Sequence, residues 1–196
     1  MKILLAGEGP TELGGWFDEP PYRGDPPRLG VLVALLAHTG PAALTIVGAI
    51  IWKHIRKYRG GVRSAESRTV LGLALEASEA GADVLVFARD NDRDHRQEEI
   101  ERGILEASER FPSLRIIGSA AVEDTEGWLL AIAGRLHSEA VPNSKAVVAS
   151  ELGLENTTQK AEFVKQMGLG GIPADARSLR RWIDRARAAF GPGGST

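Results

Sequence analysis

A mainly parallel α/β sheet flanked by helices is the fold this sequence predicts, and three observations predict it. Short apolar runs, among them Ile3-Leu4-Leu5-Ala6, Val84-Leu85-Val86-Phe87 and Ile116-Ile117, alternate with longer stretches of helical periodicity. Each run is followed by carboxylates: Glu8 and Glu12, then Asp90, Asp92 and Asp94, then Glu123, Asp124 and Glu126. In an open α/β sheet the carboxyl ends of the strands share one edge, where ligands bind. Acids from three strand ends are therefore expected to converge on a divalent-metal site whose hard oxygen ligands suit Mg²⁺ or Mn²⁺. Such a site points to phosphodiester chemistry.

The elements follow in order. After the first strand, Gly14 to Pro27 is rich in Gly, Pro and acids and reads as a loop at the sheet edge. Arg28 to His38 has a helical pattern that stops at Gly40-Pro41, and Leu44 to Trp52 reads as a long buried strand. Ser64 is placed to cap a helix running to about Ala80, with Glu66 in its first turn and Gly81 as its stop. Asp83 to Ala88 is the strand that delivers the acidic triplet. Asp94 to Phe111 reads as a charged amphipathic helix, Leu114 to Gly118 as another strand and Thr125 to Leu136 as a helix. From Ser144 onward only helical patterns occur: Lys145 to Leu152, Thr158 to Met167 and Asp175 to Phe190. The expected organisation is one α/β domain over residues 1–140, a helical extension over 141–190 packed on it, and a disordered tail over 191–196.

Composition excludes several function classes. At 196 residues and 43% hydrophobic, the chain is long enough for one sizeable core. A net charge of −2 advertises no polyanion-binding surface, so any nucleic-acid contact must rest on local patches. The absence of cysteine excludes disulfides, iron–sulfur clusters, thiolate zinc sites and cysteine nucleophiles. The opening apolar run is too short for a signal-peptide core, and the apolar stretch from Ala42 to Trp52, about ten residues, is too short to span a bilayer. A cytoplasmic location is expected.

Glu8-Gly9-Pro10-Thr11-Glu12 sets a carboxylate directly after a strand, beside a Gly that lets the backbone turn. The same string also reads as a solvent-facing turn. Asp90-Asn91-Asp92-Arg93-Asp94 offers alternating carboxylates that suit one or two divalent ions, although a solvated acidic helix start reads similarly, for Asp94 above all. An EF-hand loop would use Asp90, Asp92, Asp94 and Glu101, but His95 stands where that loop turns on Gly and a strand precedes it. A haloacid-dehalogenase-type phosphatase also uses Asp-x-Asp, normally after the first strand, where this chain has Glu8. Glu126-Gly127-Trp128-Leu129-Leu130 opens a helix, and there Glu126 reads equally as a ligand or as a carboxylate favoured by the helix dipole. Trp128 reads as core.

Taken together, these strings resemble the Toprim domain, in its short stand-alone form related to the overcoming-lysogenization-defect (OLD) nucleases. That family opens on Glu-Gly-x-Thr-Glu, carries an Asp-x-Asp matching Asp90 and Asp92, and has a Glu-x-Trp-Leu-Leu string matching Glu126 to Leu130. The matches run in family order from Glu8 to Leu130, about two-thirds of the chain. The resemblance implies a Rossmann-like sheet and a Mg²⁺- or Mn²⁺-dependent nuclease acting on DNA or RNA. It implies Glu8, Asp90, Asp92 and Glu126 as catalytic and metal-binding residues, with Glu123 and Asp124 as substitutes for Glu126. It also implies a role in phage defence. Two Tyr in all leave no room for the tyrosine domain of a topoisomerase, and the zinc-binding cysteines of primases and recombination mediators are missing.

Other readings remain beside it. Small members of the family resemble separated halves of proteins that join an ABC- or AAA-type ATPase to a Toprim nuclease, which implies an effector subunit with an ATPase partner. A phosphatase or phosphotransferase using Asp90 is a third reading. The linker Lys53-His54-Ile55-Arg56-Lys57-Tyr58-Arg59-Gly60-Gly61-Val62-Arg63 concentrates positive charge after a strand, and Lys53, Arg56, Lys57, Arg59 and Arg63 are candidate nucleic-acid contacts or a solvated loop. His54 and His95 read as surface residues. The larger OLD nucleases carry a catalytic Lys after this core, for which Lys145 and Lys160 are the candidates, with no flanking motif to fix the register. Arg177, Arg180, Arg181, Arg185 and Arg187 read as a solvated helix face. Self-association is open.

Overall fold

The computed structural model describes residues 1–15, 28–41, 43–59, 64–91 and 96–191. Strand β1 (Lys2–Gly7) is followed by the single-turn helix α1 (Pro10–Leu13), helix α2 (Val31–Thr39) and strand β2 (Thr45–Ile51). Helix α3 (Ala65–Glu79), strand β3 (Val84–Asp90), helix α4 (Arg96–Arg110) and strand β4 (Arg115–Ala121) come next. Helices α5 (Thr125–Ile132), α6 (Ser144–Leu152), α7 (Thr157–Met167) and α8 (Arg177–Phe190) complete the chain. The four strands form one all-parallel sheet in the order β2-β1-β3-β4. This is the α/β fold the sequence predicts.

Parallel neighbours need crossovers, and right-handed crossovers decide which face each helix covers. The chain steps from β1 outward to β2, then returns past β1 to β3 and on to β4. The step to β2 runs opposite to the later two, so α2 lies on one face while α3 and α4 lie on the other. Strand alternation supplies both cores. Ile3, Leu5, Val84, Val86 and Ala88 face the layer containing α2, α5, α7 and α8. Leu4, Ala6, Leu85 and Phe87 face α3 and α4.

Local signals explain the helix ends. Ser64 caps α3 by accepting from Ser67 N at 3.1 Å, and Asp124 caps α5 by accepting from Gly127 N at 3.0 Å. Asn156 and Gln159 form a capping box on α7. Helix α8 lacks a local side-chain cap, and a distant acid supplies it: Glu139 accepts from Ser178 N, Ser178 Oγ and Leu179 N. The fully buried Trp128 and Trp182 anchor this corner, their rings 6.3 Å apart. Trp128 Nε1 donates to Ser178 Oγ at 2.7 Å and Trp182 Nε1 to the Phe87 carbonyl at 3.1 Å. Trp182 thus ties α8 to the centre of the sheet.

Several boundaries differ from expectation for physical reasons. Strand β3 runs on to Asp90 and β4 to Ala121, because Arg89 and Asp90 keep pairing with Ala120 and Ala121. Strand β2 is half-buried, since among the described residues it pairs with β1 alone and forms a sheet edge. Helix α5 stops at Ile132, short of Leu136. Most of the Gly14–Pro27 loop and of the C-terminal tail lie outside the described residues, as do Asp92, Asp94 and His95. Among the described residues no helix is long and apolar enough to cross a membrane.

Candidate functional site

The strand order reverses at β1, so the crevice between the carboxyl ends of β1 and β3 is the topological switch point where open α/β sheets bind ligands. Glu8 leaves β1 there, and Asp90 is the last residue of β3. Glu8 crosses the crevice, and its Oε1 accepts from Asp90 N at 3.2 Å. The Glu8 carboxylate therefore reaches the backbone of a second predicted ligand residue. Asp92 lies outside the described residues.

Alternation along β3 puts Arg89 and Asp90 on opposite faces. Arg89 shares the face of Phe87, its guanidinium 5.6 Å from the Trp52 ring. There it pairs with the Glu8 carboxylate and lies 4.0 Å from Glu66 on α3. Arg96, only 3% exposed at the start of α4, pairs with Glu66 at 3.1 Å and donates to the Asp90 carbonyl. Glu8, Arg89, Glu66 and Arg96 form a chain of alternating charge around the strand end. Sequence reasoning overlooked both arginines and Glu66 here. The available signal was Arg89 itself, a charge inside a strand run where only a polar partner makes it tolerable.

A second polar group lies in the layer below. Glu12, Thr125, Glu126 and Lys160 are each at most 6% exposed. Glu12 Oε1 accepts from the Thr125 hydroxyl, and its Oε2 accepts from Gly9 N at 2.9 Å. Burial pushes the Glu12 carboxyl above its ordinary range, and the nearby Glu126 charge adds to the rise, while its hydrogen bonds oppose it. Gly7 makes room for Glu12, since a Cβ there would sit 2.6 Å from the Glu12 Cβ. Glu126 is held by Lys160, Nζ to Oε1 at 2.7 Å, which joins α7 to α5. Of the two lysines singled out in the sequence, Lys160 is built into this site; Lys145 is at the exposed start of α6. Glu12, which follows Glu8 by four residues in the same string, belongs with the site.

The remaining candidates divide clearly. Glu123 is exposed, and Asp124 serves as the α5 cap while also accepting from Ser144 Oγ. Lys53, Arg56, Lys57 and Arg59 are exposed along the stretch after β2, and Arg63 lies outside the described residues. His54 is exposed, as expected. On α8, Arg181 and Arg185 pair with Glu101, and Arg185 also donates to the Gly118 carbonyl of the edge strand β4. This face covers a sheet edge. Among the described residues, no three acidic or His side chains are grouped closely enough to hold an ion.

No family model, no curated protein and no solved structure matches this chain. The chemistry of the site therefore has to be read from its own groups. Among the described residues the donors at the crevice are carboxylate oxygens, the donor type a hard divalent cation prefers. Arg89 and Arg96 beside them offset the charge of the Glu8 and Glu66 carboxylates.

Proposed function

We propose that the chain is a metal-dependent nuclease hydrolysing phosphodiester bonds in DNA or RNA, with Mg²⁺ or Mn²⁺ held by Glu8, Asp90 and Asp92. The observation that carries this reading is the meeting of Glu8 and Asp90 at the switch point. A divalent ion bound there supplies a polarised water and neutralises charge on the phosphate. The chain's own groups do the rest. Glu8 and Asp90 present oxygens from two strand ends, and Arg89 and Arg96 offset the negative charge of carboxylates and phosphate. Glu12 and Glu126 form a buried acidic layer beneath, kept soluble in the core by Thr125 and Lys160. The exposed cations after β2 hold the backbone of the nucleic acid without reading its sequence.

Incubating plasmid and single-stranded substrates with Mg²⁺ or Mn²⁺ tests the reading. Cleavage is expected to disappear with chelator and in Asp90→Ala/Asp92→Ala, while circular dichroism stays that of the wild type. Metal-dependent cleavage surviving in the double variant would sink the assignment.

The pairing of Glu8 with Arg89 favours a second reading, an effector subunit that acts only when docked to an ATPase. In the resting chain one expected ligand is already engaged by a cation. This reading predicts silence with metal alone and cleavage once an ATPase partner and ATP are added.

A further inference from the structure

A cleft of about 1160 Å³ runs beside the outer surface of α3, and the stretch after β2 forms its other wall. Arg56, Lys57 and Arg59 line it from that stretch and Arg68 from α3, with the half-buried Tyr58 between them. The two walls are joined at two points. Tyr58 N donates to the Arg68 carbonyl at 2.9 Å, and the Arg56 carbonyl comes so close to Gly72 that a Cβ there would lie 1.9 Å away. Only Gly permits that approach. The cations are thus held in a formed cleft rather than spread over a loose loop.

The cleft begins at the first turns of α3, whose Glu66 reaches the carboxylate site from a different side of the helix. Arg68 follows Glu66, the partner of Arg89 and Arg96, by two residues on α3. On the other wall, His54 follows Trp52, on which Arg89 stacks, by two residues. From Arg68 the cleft runs toward Glu76 and Glu79, where the lining turns acidic. Glu76 also accepts from Arg56 N at 3.3 Å. The favourable stretch from Arg68 to Glu76 is about 12 Å long at the helical rise.

We infer that this cleft binds a single nucleic-acid strand, its backbone on Arg56, Lys57, Arg59 and Arg68, and leads that strand to the Glu8–Asp90 crevice. The inference rests on the nuclease reading for its direction and adds the substrate class. Cations tracking a backbone beside an aromatic ring are the elements that hold a single strand without sequence preference. The acidic end at Glu76 and Glu79 limits how far the strand extends.

The test is binding of a fluorescent single-stranded oligonucleotide in chelator, so that neither metal nor cleavage enters, over a series of salt concentrations. Four phosphate contacts give a slope of log affinity against log salt of about −2.8 for a single strand. Arg56→Gln/Lys57→Gln/Arg59→Gln alters exposed side chains only and is expected to bring the slope to about −0.7, with affinity at low salt down at least about tenfold. Arg102→Gln, on the exposed face of α4, controls for overall charge and should leave the slope unchanged. The matching duplex is expected to bind at least about tenfold more weakly than the single strand. A triple variant with wild-type slope and affinity, or a duplex that binds as tightly as the strand, would overturn the inference. Cleavage assays on the same samples in Mg²⁺ separate the two ideas. Cleavage with cleft-independent binding overturns the cleft alone, whereas cleft-dependent binding without cleavage supports the cleft and counts against the nuclease.

Discussion

Glu12 is the side chain whose protonation the fold changes most clearly. Its ordinary pKa is near 4.5, and burial raises it. Between that value and the higher folded one, the folded chain keeps a proton that the unfolded chain has released. The contribution of Glu12 to stability is therefore complete below about pH 4.5 and falls as pH rises through the folded value. Glu12→Gln removes this loss. Urea unfolding is expected to show the variant more stable than the wild type near pH 8, with a flatter dependence above pH 5. A variant less stable than the wild type at every pH would contradict a protonated, buried Glu12. At this scale the sequence was legible where a carboxylate followed an apolar run, as with Glu8 and Asp90. It was not legible for Arg89, Arg96 and Glu66, because their roles come from β3 alternation and from α3 and α4 meeting at one strand end. No local pattern encodes that meeting.

The ends of the elements show how side chains from distant positions complete them. Helix α8 begins without a local cap, and Glu139 accepts three hydrogen bonds from its first turn. Removing that carboxylate leaves buried donors unpaired, so Glu139→Ala is expected to cost about 3 kcal/mol in urea unfolding. Glu139→Gln retains an acceptor and should cost less. A loss under about 0.5 kcal/mol for the Ala variant would show the cap to be incidental. The cap Ser64 was readable because it lies next to the helix it starts. The Glu139 cap was not, since it joins residues separated by almost 40 positions. The β2 misreading has a similar origin. Thr45-Ile46-Val47-Gly48-Ala49-Ile50-Ile51 has no charged residue to mark a solvent side, so it reads as an interior strand, yet the crossovers place it at an edge.

For the whole molecule, alternation of strands and helices was enough to announce a parallel sheet, but not its strand order. That order depends on which face each helix chooses, a result of crossover handedness and of packing summed over the chain. The helices after residue 140 are likewise part of the main core. Trp182, Leu179 and Ile183 from α8 and Ala161 and Val164 from α7 share one buried cluster with Leu5 and Val86 of the sheet. A chain ending at residue 140 is expected to lose cooperative thermal unfolding and to expose apolar surface to a hydrophobic dye. A sharp transition in that shortened chain would show the first 140 residues to be self-sufficient.

The most direct test of the central claim is calorimetric titration of Mn²⁺ into the wild type and into Asp90→Ala/Asp92→Ala. Saturable binding to the wild type that disappears in the double variant is expected. Equal binding to both, or none to either, would contradict a metal centre at the Glu8–Asp90 crevice.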